Sequence, residues 1–451
     1  MYNYIKMSLV LILAFLIRLI ALNQSLWLDE ATTANVVRQF DLFGIIPKFS
    51  VNDFHPPLYY LFMDLWTNLF GYSEIILRLP SVIFSLLTGW MVYLIGKSLK
   101  NEELGFWAAT LFLFNPLIVY YSQEARMYVL VTFLLTAAFY FFLTKKYLAT
   151  NILFFLSFLT FYGSIFFFAA IYLYLIFKKK FEELFKLLPG FLIAFIIVSP
   201  LLYQQWLNSR EALLTVQNWS LVLGKANIKN LLLIPIKFSI GRISFEPKIL
   251  YWGISGLWTA FIFSFVLRPM LHRAGVMLQF LFLAPLALGF VASFFSPLLQ
   301  YFRFLYLIPV LTFLIVPGAN KNWQKYTVLT GFIIFSLIYL LLPSFHREDW
   351  KSLVRNLPAG RQVYMIPSSS DPLIYYNSQI EINDLKLIEK TNDKEVVVIP
   401  YTSDIHAVDY RKVLEKNGYK LEEIKSFRGL NFERWLKKAF YYSEKVPSPL
   451  D

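Results

Sequence analysis

Two adjacent carboxylic acids follow the first apolar stretch of the chain, in the segment LWLDEA at residues 26–31. A carboxylate that borders a membrane-length apolar stretch is costly to keep without a partner or a chemical use. Partial burial there raises its basicity, as a general base requires. The ordinary alternative is a capped helix that begins at Ala31, with Asp29 as its cap and Glu30 in its first turn. The interfacial Trp27 and further polar clusters predicted on the same side favour catalysis.

A second polar cluster, YSQEARMY at residues 121–128, joins two later apolar stretches. Glu124 and Arg126 are placed to pair with each other at the rim of the membrane. The functional alternative assigns Glu124 to positioning an acceptor or a base, and Tyr128 to positioning substrate. Arg126 then binds a lipid phosphate, because guanidinium groups bind phosphate oxygens in bidentate fashion.

Three further arginines lie at, or within, the outer ends of apolar stretches. Arg303 is an ordinary snorkelling anchor by position, yet arginine on the outer side runs against the positive-inside rule and needs a reason. Arg78 raises the same question. Arg18 lies inside the first stretch, where we expect an intramembrane partner such as a carboxylate.

Other chemistries are excluded or unsupported. The chain has no cysteine, and no HxxxH or HExxH spacing that would indicate zinc. His55, before two prolines, is a structural residue by default and a substrate-positioning residue in the functional interpretation. No glycine-rich phosphate loop is present, so a nucleotide is not an evident substrate. An activated donor must then reach the outer face already embedded in lipid.

Composition identifies a polytopic membrane protein. Of 451 residues, 57% are hydrophobic and only 16% charged, and several apolar runs are long enough to cross a bilayer. The net charge of +13 does not indicate nucleic-acid binding. Residues 344–451 contain 17 basic and 16 acidic residues, whereas the first 343 contain 25 and 13. That excess falls in short loops of one side, which is typical of membrane insertion.

We predict about eleven spans from apolar length. They lie near 7–23, 79–96, 105–121, 127–143, 150–163, 164–177, 187–206, 249–267, 275–296, 299–317 and 326–343. Residues 150–177 form either two short passes hinged at Gly163–Ser164 or one long tilted helix. Two passes place the lysine-rich loops on one side, so the parity of the spans favours them.

The predicted organisation has two parts. Residues 1–343 form the transmembrane part, whose first outer loop, 23–77, carries the candidate catalytic residues and two surface helices, 31–43 and 57–70. Residues 344–451 form a small α/β domain, with strands at 362–366 and 395–400 and a helix at 404–417. An odd number of spans makes this domain extracytoplasmic.

Four of these segments together resemble the GT-C membrane glycosyltransferases. They are WLDE at 27–30, HPPL at 55–58, RLPS at 78–81 and YSQEAR at 121–126. The resemblance is greatest to the branch with protein O-mannosyltransferases and the lipid A aminoarabinose transferase. It covers Met1 to about Val316. Relatives often carry Lys or His after Leu-Thr at the fifth and sixth spans, whereas here Phe161 follows Leu159-Thr160.

The resemblance implies an inverting transfer of a sugar from a polyprenyl-phosphate donor on the extracytoplasmic side. Asp29 is then the base, Glu30 orients it or the acceptor, and Arg303 and Arg126 hold the departing phosphate, with Arg78 in reserve. It also implies that no cofactor is needed. The alternative is an oxygen cage for Mg²⁺ or Mn²⁺ made by Asp29, Glu30 and Glu124.

We expect a multi-pass plasma-membrane protein whose partners are the lipid donor, the bilayer and a protein, lipid or glycan acceptor. The competing hypothesis is a transporter or lipid-linked glycan flippase. Transporters commonly show repeated halves and charge near the bilayer midplane. This chain has no detectable repeat and few mid-span charges, and its polar clusters gather on one side.

Overall fold

The computed structural model describes residues 2–216, 218–271, 275–358 and 360–438. The described chain separates into two compact units. The first contains Met1–Leu22, Phe40–Ser209 and Leu221–His346, and the second contains Asn23–Gln39, Arg210–Ser220 and Arg347–Asp451. The predicted parts, 1–343 and 344–451, are each continuous in sequence, whereas these units are not. A piece of the predicted outer loop, Asn23–Gln39, belongs with the C-terminal residues.

The regular elements of the described residues up to 341 are helices. Its helices are α1 (Tyr2–Leu19), α2 (Leu28–Gln39), α3 (Leu42–Gly44), α4 (Leu58–Phe70), α5 (Glu74–Leu99), α6 (Glu102–Leu113), α7 (Pro116–Tyr121), α8 (Tyr128–Leu143), α9 (Tyr147–Thr160), α10 (Ile165–Phe177), α11 (Phe181–Thr215), α12 (Trp219–Leu223), α13 (Ile228–Ile240), α14 (Lys248–Leu271), α15 (Val276–Ala292), α16 (Ile308–Gly318) and α17 (Asn322–Leu341). A π-helical segment, Ile45–Ser50, follows α3, and a 3₁₀ segment, Tyr301–Leu307, leads into α16.

Every predicted span coincides with one or more of these helices, with shifted ends. Among the described residues, five segments are long and apolar enough to cross a membrane: α5, α11, α14, Tyr301–Gly318 and α17. Four shorter apolar segments accompany them: α8, α9, Tyr162–Phe177 and α15. The count of eleven spans stays a prediction.

The stretch 150–177 is a helical hairpin. The chain breaks at Phe161, which is extended (φ −158°, ψ 118°), two residues before the predicted hinge. The rings of Phe154 and Phe168 lie 4.3 Å apart, and Phe154 also contacts Tyr172. In one continuous helix Phe154 and Phe168 would be about 21 Å apart. The predicted alternative of one long tilted helix is therefore wrong.

Two helices of the first unit approach each other at glycines. A Cβ on Gly96 of α5 would lie 2.4 Å from Gly105 Cα of α6, and a Cβ on Gly105 would lie 2.3 Å from the Tyr93 carbonyl oxygen. Small residues allow this backbone contact, as in many membrane helix pairs. The contact fixes α5 against α6, and these helices lead to two of the motifs described below.

The C-terminal part of the second unit contains a five-stranded mixed sheet. Its strands are β1 (Val363–Met365), β2 (Ile382–Asp384), β3 (Glu395–Val398), β4 (Tyr419–Phe427) and β5 (Leu430–Lys437), in the order β2-β1-β3-β5-β4. β1 pairs in parallel with β2 and β3, and β5 is antiparallel to β3 and β4. Three helices belong to this part: α18 (Trp350–Arg355), α19 (Asp371–Tyr376) and α20 (Tyr410–Lys416).

Alternate residues of the central strands fill two apolar layers. Val396 and Val398 pack with α20 on one face, while Val397 packs with Trp350 and Leu353 of α18 on the other. The predicted helix 404–417 is shorter than expected. Residues 401–407 form a turn in which Thr402 and Ala407 have positive φ, so the helix begins only at Tyr410.

Candidate functional site

The predicted site residues fall in both units. Arg78, His55, Glu124, Arg126, Tyr128 and Arg303 belong to the first unit, and Asp29 and Glu30 belong to the second. The meeting of these two sets of residues in one cavity stays a prediction.

The segment 121–128 holds the end of the first helix. Gln123 Nε2 donates to the carbonyl oxygens of Arg18 (2.8 Å) and Ile20 (2.6 Å). The guanidinium of Arg78 donates to the carbonyl of Leu22 at 2.9 Å. Helix ends leave carbonyls without partners inside the helix, so both contacts satisfy groups that would otherwise be costly to bury. Arg78 therefore has a structural task directly before the acidic segment.

Arg18 binds backbone carbonyl groups, so the prediction that its partner is a carboxylate is wrong. Its guanidinium donates to the carbonyls of Ala14 and Leu113, both at 2.7 Å. The Leu113 carbonyl is available because the third predicted span breaks there. Leu117 N–H, which would bind it in a continuous helix, donates instead to Asn115 Oδ1 at 3.0 Å.

The RLPS and HPPL segments are tied to their neighbours by polar contacts. Ser81 Oγ donates to the Glu124 carbonyl at 2.6 Å. Pro80 lacks an N–H, which leaves the Ile76 carbonyl free to accept from Trp66 Nε1 of α4 at 2.8 Å. The RLPS and YSQEAR motifs are thereby linked within the first unit, and the helix that follows HPPL is bound to the start of α5.

Glu124 is buried beside an arginine that sequence reasoning did not select. Arg242 lies 3.9 Å from Glu124 Oε1 and donates to Tyr120 OH at 2.6 Å. Its position follows from Gly241, which ends α13 with φ +70° and lies against Pro116, where an added Cβ would be 3.0 Å away. The sequence signal was only a basic residue directly after a glycine.

Arg126 faces the first outer loop. Its guanidinium lies 3.5 Å from Tyr60 OH, and Tyr60 also hydrogen-bonds Asp53. His55 Nδ1 lies 3.4 Å from Asp53 Oδ1. Burial alone would raise the pKa of Asp53, but the charge and hydrogen bond of His55, with the charge of Arg126, outweigh it and lower that pKa. Asp53 thus joins two predicted site residues, and no spacing pattern indicated it.

Arg303 lies beside the same segment. Phe302 packs against Tyr128 and Tyr121, with ring centroids 5.0 and 6.0 Å apart. Arg303 is half-buried and donates to the carbonyls of Leu223 and Pro297, at 3.1 and 2.9 Å. The structure therefore brings the 121–128 and 301–303 segments together across the first unit.

Lys237 of α13 is a further residue that sequence reasoning missed. It is 9% exposed, donates to the Ile243 carbonyl at 3.0 Å and lies 5.3 Å from the Tyr251 ring centroid. Burial, followed by the charges of Arg242 and Lys248, lowers its pKa to about 7. Arg242 adds a basic group beside Glu124, and Lys237 lies within electrostatic reach of Arg242.

In the second unit, the acidic pair opens helix α2. The helix begins at Leu28 and not at the predicted Ala31, so Asp29 and Glu30 lie in its first turn and Asp29 does not cap it. Glu30 is fully buried and Asp29 is half-buried. Burial, then the charges of Glu348 and Asp29, raises the pKa of Tyr401, so Asp29 lies within electrostatic reach of the C-terminal part.

No group of three or more His, Asp or Glu side chains in the described ranges is arranged to hold a metal ion. The predicted independence from metal stays a prediction.

Comparison with solved structures finds the same fold along almost the whole chain. ArnT from Cupriavidus metallidurans in the apo state aligns with TM-score 0.60 at 12% identity, over 96% of this chain and 98% of that one. The chain has the GT-C fold. ArnT bound to undecaprenyl phosphate aligns with TM-score 0.58 at 12% identity, over 96% and 97% of the two chains. The predicted fold class is confirmed, and the chain is a multi-pass integral membrane protein.

An oligosaccharyltransferase also matches in fold. The oligosaccharyltransferase AglB from Archaeoglobus fulgidus, in complex with an inhibitory peptide and a dolichol-phosphate, aligns with TM-score 0.54 at 12% identity over 98% of this chain and 75% of that one. The family model for dolichyl-phosphate-mannose-protein mannosyltransferases matches residues 54–204, which include His55, Arg78, Glu124 and Arg126. No curated protein sequence matches significantly. The family match covers about a third of the chain, and the solved structures show its fold.

Proposed function

We propose that this GT-C chain is an inverting glycosyltransferase that moves a hexose or pentose from a polyprenyl-phosphate donor to an acceptor on the extracytoplasmic side of the plasma membrane. The observation that carries the proposal is the gathering of buried or half-buried guanidinium groups around the 121–128 segment. Arg126, Arg242 and Arg303 come from three distant parts of the chain. A fold alone would not establish an activity, because one fold supports many.

Guanidinium groups near a bilayer suit one ligand class in particular. A lipid phosphate carries the negative charge that they bind, and its polyprenyl chain stays in the hydrocarbon. ArnT has been solved with undecaprenyl phosphate, and AglB with a dolichol-phosphate. Preorganised cations stabilise the charge that develops on a departing phosphate, at a typical loss of ~3 kcal/mol for each contact removed.

The proposed reaction is a single displacement. The acceptor hydroxyl attacks the anomeric carbon while the Asp29 carboxylate takes its proton. The bond between the anomeric carbon and the phosphate oxygen breaks, and its electron pair leaves with the polyprenyl phosphate. Attack opposite the leaving group inverts the anomeric configuration. Glu30 orients Asp29 or the acceptor, Arg126 and Arg303 bind the leaving phosphate, and Arg242 joins them beside Glu124.

Substitution of the proposed base tests this function. We expect Asp29→Asn to reduce transfer by at least ~10³-fold, because an amide cannot accept the proton. The assay presents purified protein in liposomes with a panel of polyprenyl-phosphate hexoses and pentoses and measures released polyprenyl phosphate, with EDTA present. Asp41→Asn is the matched control, since Asp41 is an acid of the same predicted loop that caps α3 through Gly44 N.

Full turnover by Asp29→Asn would overturn the assignment of the base. Counterflow of the lipid-linked sugar across the liposome, without a new glycosidic bond, would favour the flippase instead. Loss of turnover in EDTA, restored by Mn²⁺, would contradict the proposal that no metal is needed.

A further inference from the structure

The helix that carries the acidic pair is held by a single carboxylate of the C-terminal part. Asp371, the first residue of α19, accepts from Thr32 Oγ1 at 2.5 Å and from Asn35 Nδ2 at 2.9 Å. The backbone oxygen of Asp371 also accepts from Asn35 Nδ2, at 3.0 Å. These contacts join residues more than 330 positions apart in sequence, within one compact unit.

The contacts lie on one face of α2. Thr32, Asn35 and Arg38 recur every three residues, and Arg38 continues the series by lying 4.3 Å from the centre of the Tyr375 ring. A helix turns about 100° per residue, so Asp29 and Glu30 fall outside the face centred on Asn35. The face bound to α19 is thus separate from the one that presents the acids.

The chain before the acids is held by the same part of the molecule. The N–H of Leu26 donates to Tyr376 OH at 2.9 Å, and the Arg347 guanidinium lies 3.6 Å from the centre of the Trp27 ring. Lys351 N donates to Ser25 Oγ at 3.2 Å. Asp29 and Glu30 are therefore bracketed on both sides by contacts to the C-terminal part.

The helix that carries Asp371 is packed into the core of the C-terminal part. Leu373 of α19 is fully buried in the apolar layer that contains Trp350, Leu353 and residues of β1 and β3. A side chain on a helix that is packed into a core has a defined position, and it holds the group that it binds in a defined position as well. Precise placement of a reacting group is worth much in catalysis, because misplacement by about 1 Å costs on the order of 10²-fold in rate.

Resting on the proposed function, we infer that Asp371 is a positioning residue for sugar transfer: it fixes α2 on the C-terminal part, and so aims the Asp29 base. The C-terminal part is then a component of the catalytic apparatus. Asp371 touches neither donor nor acceptor in this scheme. Its removal affects the rate of the chemical step and leaves donor binding in place.

Steady-state kinetics on the full chain test this inference. We expect Asp371→Ala to lower kcat by roughly 10- to 100-fold, with the KM for the donor changed less than about twofold. Asp384→Ala is the matched control, because Asp384 belongs to the same unit and caps a 3₁₀ turn through Lys386 N at 2.9 Å. Melting temperature is recorded for both variants, to separate positioning from unfolding.

Exchange of the hydrogen-bond donor and acceptor between positions 35 and 371 gives a second test, with a result that general destabilisation of the protein would not produce. Asn35→Asp places a carboxylate against the Asp371 carboxylate, and we expect its kcat to fall as in Asp371→Ala. Addition of Asp371→Asn restores an amide–carboxylate pair in reverse, and we expect most of the lost kcat to return.

Three results would overturn the inference. They are wild-type kcat in Asp371→Ala, an equal loss in Asp384→Ala, and a swapped pair no more active than Asn35→Asp alone. The proposed function fails separately, through full turnover by Asp29→Asn. If Asp29→Asn is inactive while Asp371→Ala is fully active, only the positioning role is lost.

Discussion

Lys237 is a buried lysine near the charges of Arg242 and Lys248, and its titration gives the protein a pH dependence of defined sign. Its folded-state pKa is about 7, below the usual value of 10.5. Above about pH 7 the folded state holds fewer protons at this group than the unfolded state. Stability therefore rises with pH up to the unfolded pKa, by at most about 1.4 kcal/mol per pH unit from this group. Below about pH 7 the buried charge is destabilising.

Replacement of this lysine by an uncharged residue removes that dependence. We expect Lys237→Met to melt at a higher temperature than the wild type at about pH 6, with the gap shrinking by about pH 9. The measurement is thermal unfolding in detergent across that range. Lys229→Met, at an exposed lysine of the same helix, is the control and should show no such trend. A gap that is constant with pH would contradict the described burial of Lys237.

The arginines show how much of the role of a single residue can be predicted from the sequence. Position and residue type identified Arg18, Arg78, Arg126 and Arg303 as unusual, and each is at least half-buried. Their tasks were not readable from sequence. Arg18 binds carbonyls released by a helix break, and Arg78 binds the end of the first helix. Long-range partners such as Tyr60 and Leu223 leave no spacing signature, because the fold and not the sequence makes them neighbours.

Helices were predicted well by apolar length, and their breaks were predicted less well. The hinge at Phe161 lies two residues from its predicted place, and the break at Phe114–Asn115 inside the third span was not expected. Asn115 caps α7 and Pro116 opens it, which is ordinary helix-start chemistry inside an apolar run. An average of hydropathy over a window of residues does not detect such a break between helices. The span predicted as one helix is therefore two helices in the structure.

The turn that ends α13 gives a prediction for a whole element. We expect Gly241→Ala to reduce kcat/KM by about 10-fold. A Cβ at φ +70° is strained, and it would also meet Pro116 at 3.0 Å, which displaces Arg242 from Glu124. The measurement is sugar transfer by the full chain. Gly253→Ala in α14 is the matched control, because an added Cβ there has no neighbour within 4 Å.

Equal activity of the two alanine variants would show that α13 does not need to end where it does. A loss confined to Gly241→Ala, with an unchanged melting temperature, would support Arg242 as part of the donor site.

The molecule as a whole combines parts that sequence order separates. The predicted soluble domain began near residue 344, and the C-terminal strands and helices do form a sheet with two apolar layers. The addition of Asn23–Gln39 to that unit could not be predicted, since it depends on Asp371 meeting Thr32 and Asn35. The acidic pair was identified from its surroundings, whereas its support came from the other end of the chain.

The central proposal is that the Asp29 base and the phosphate-binding guanidinium groups of Arg126 and Arg303 serve one polyprenyl-phosphate donor. A cryo-EM structure of the full chain in nanodiscs with undecaprenyl phosphate tests it directly. We expect the phosphate within hydrogen-bonding distance of Arg126 or Arg303, with the Asp29 carboxylate facing the space beside it where a sugar and an acceptor fit. A phosphate bound away from these arginines, or an Asp29 that faces bulk water remote from it, would contradict the account.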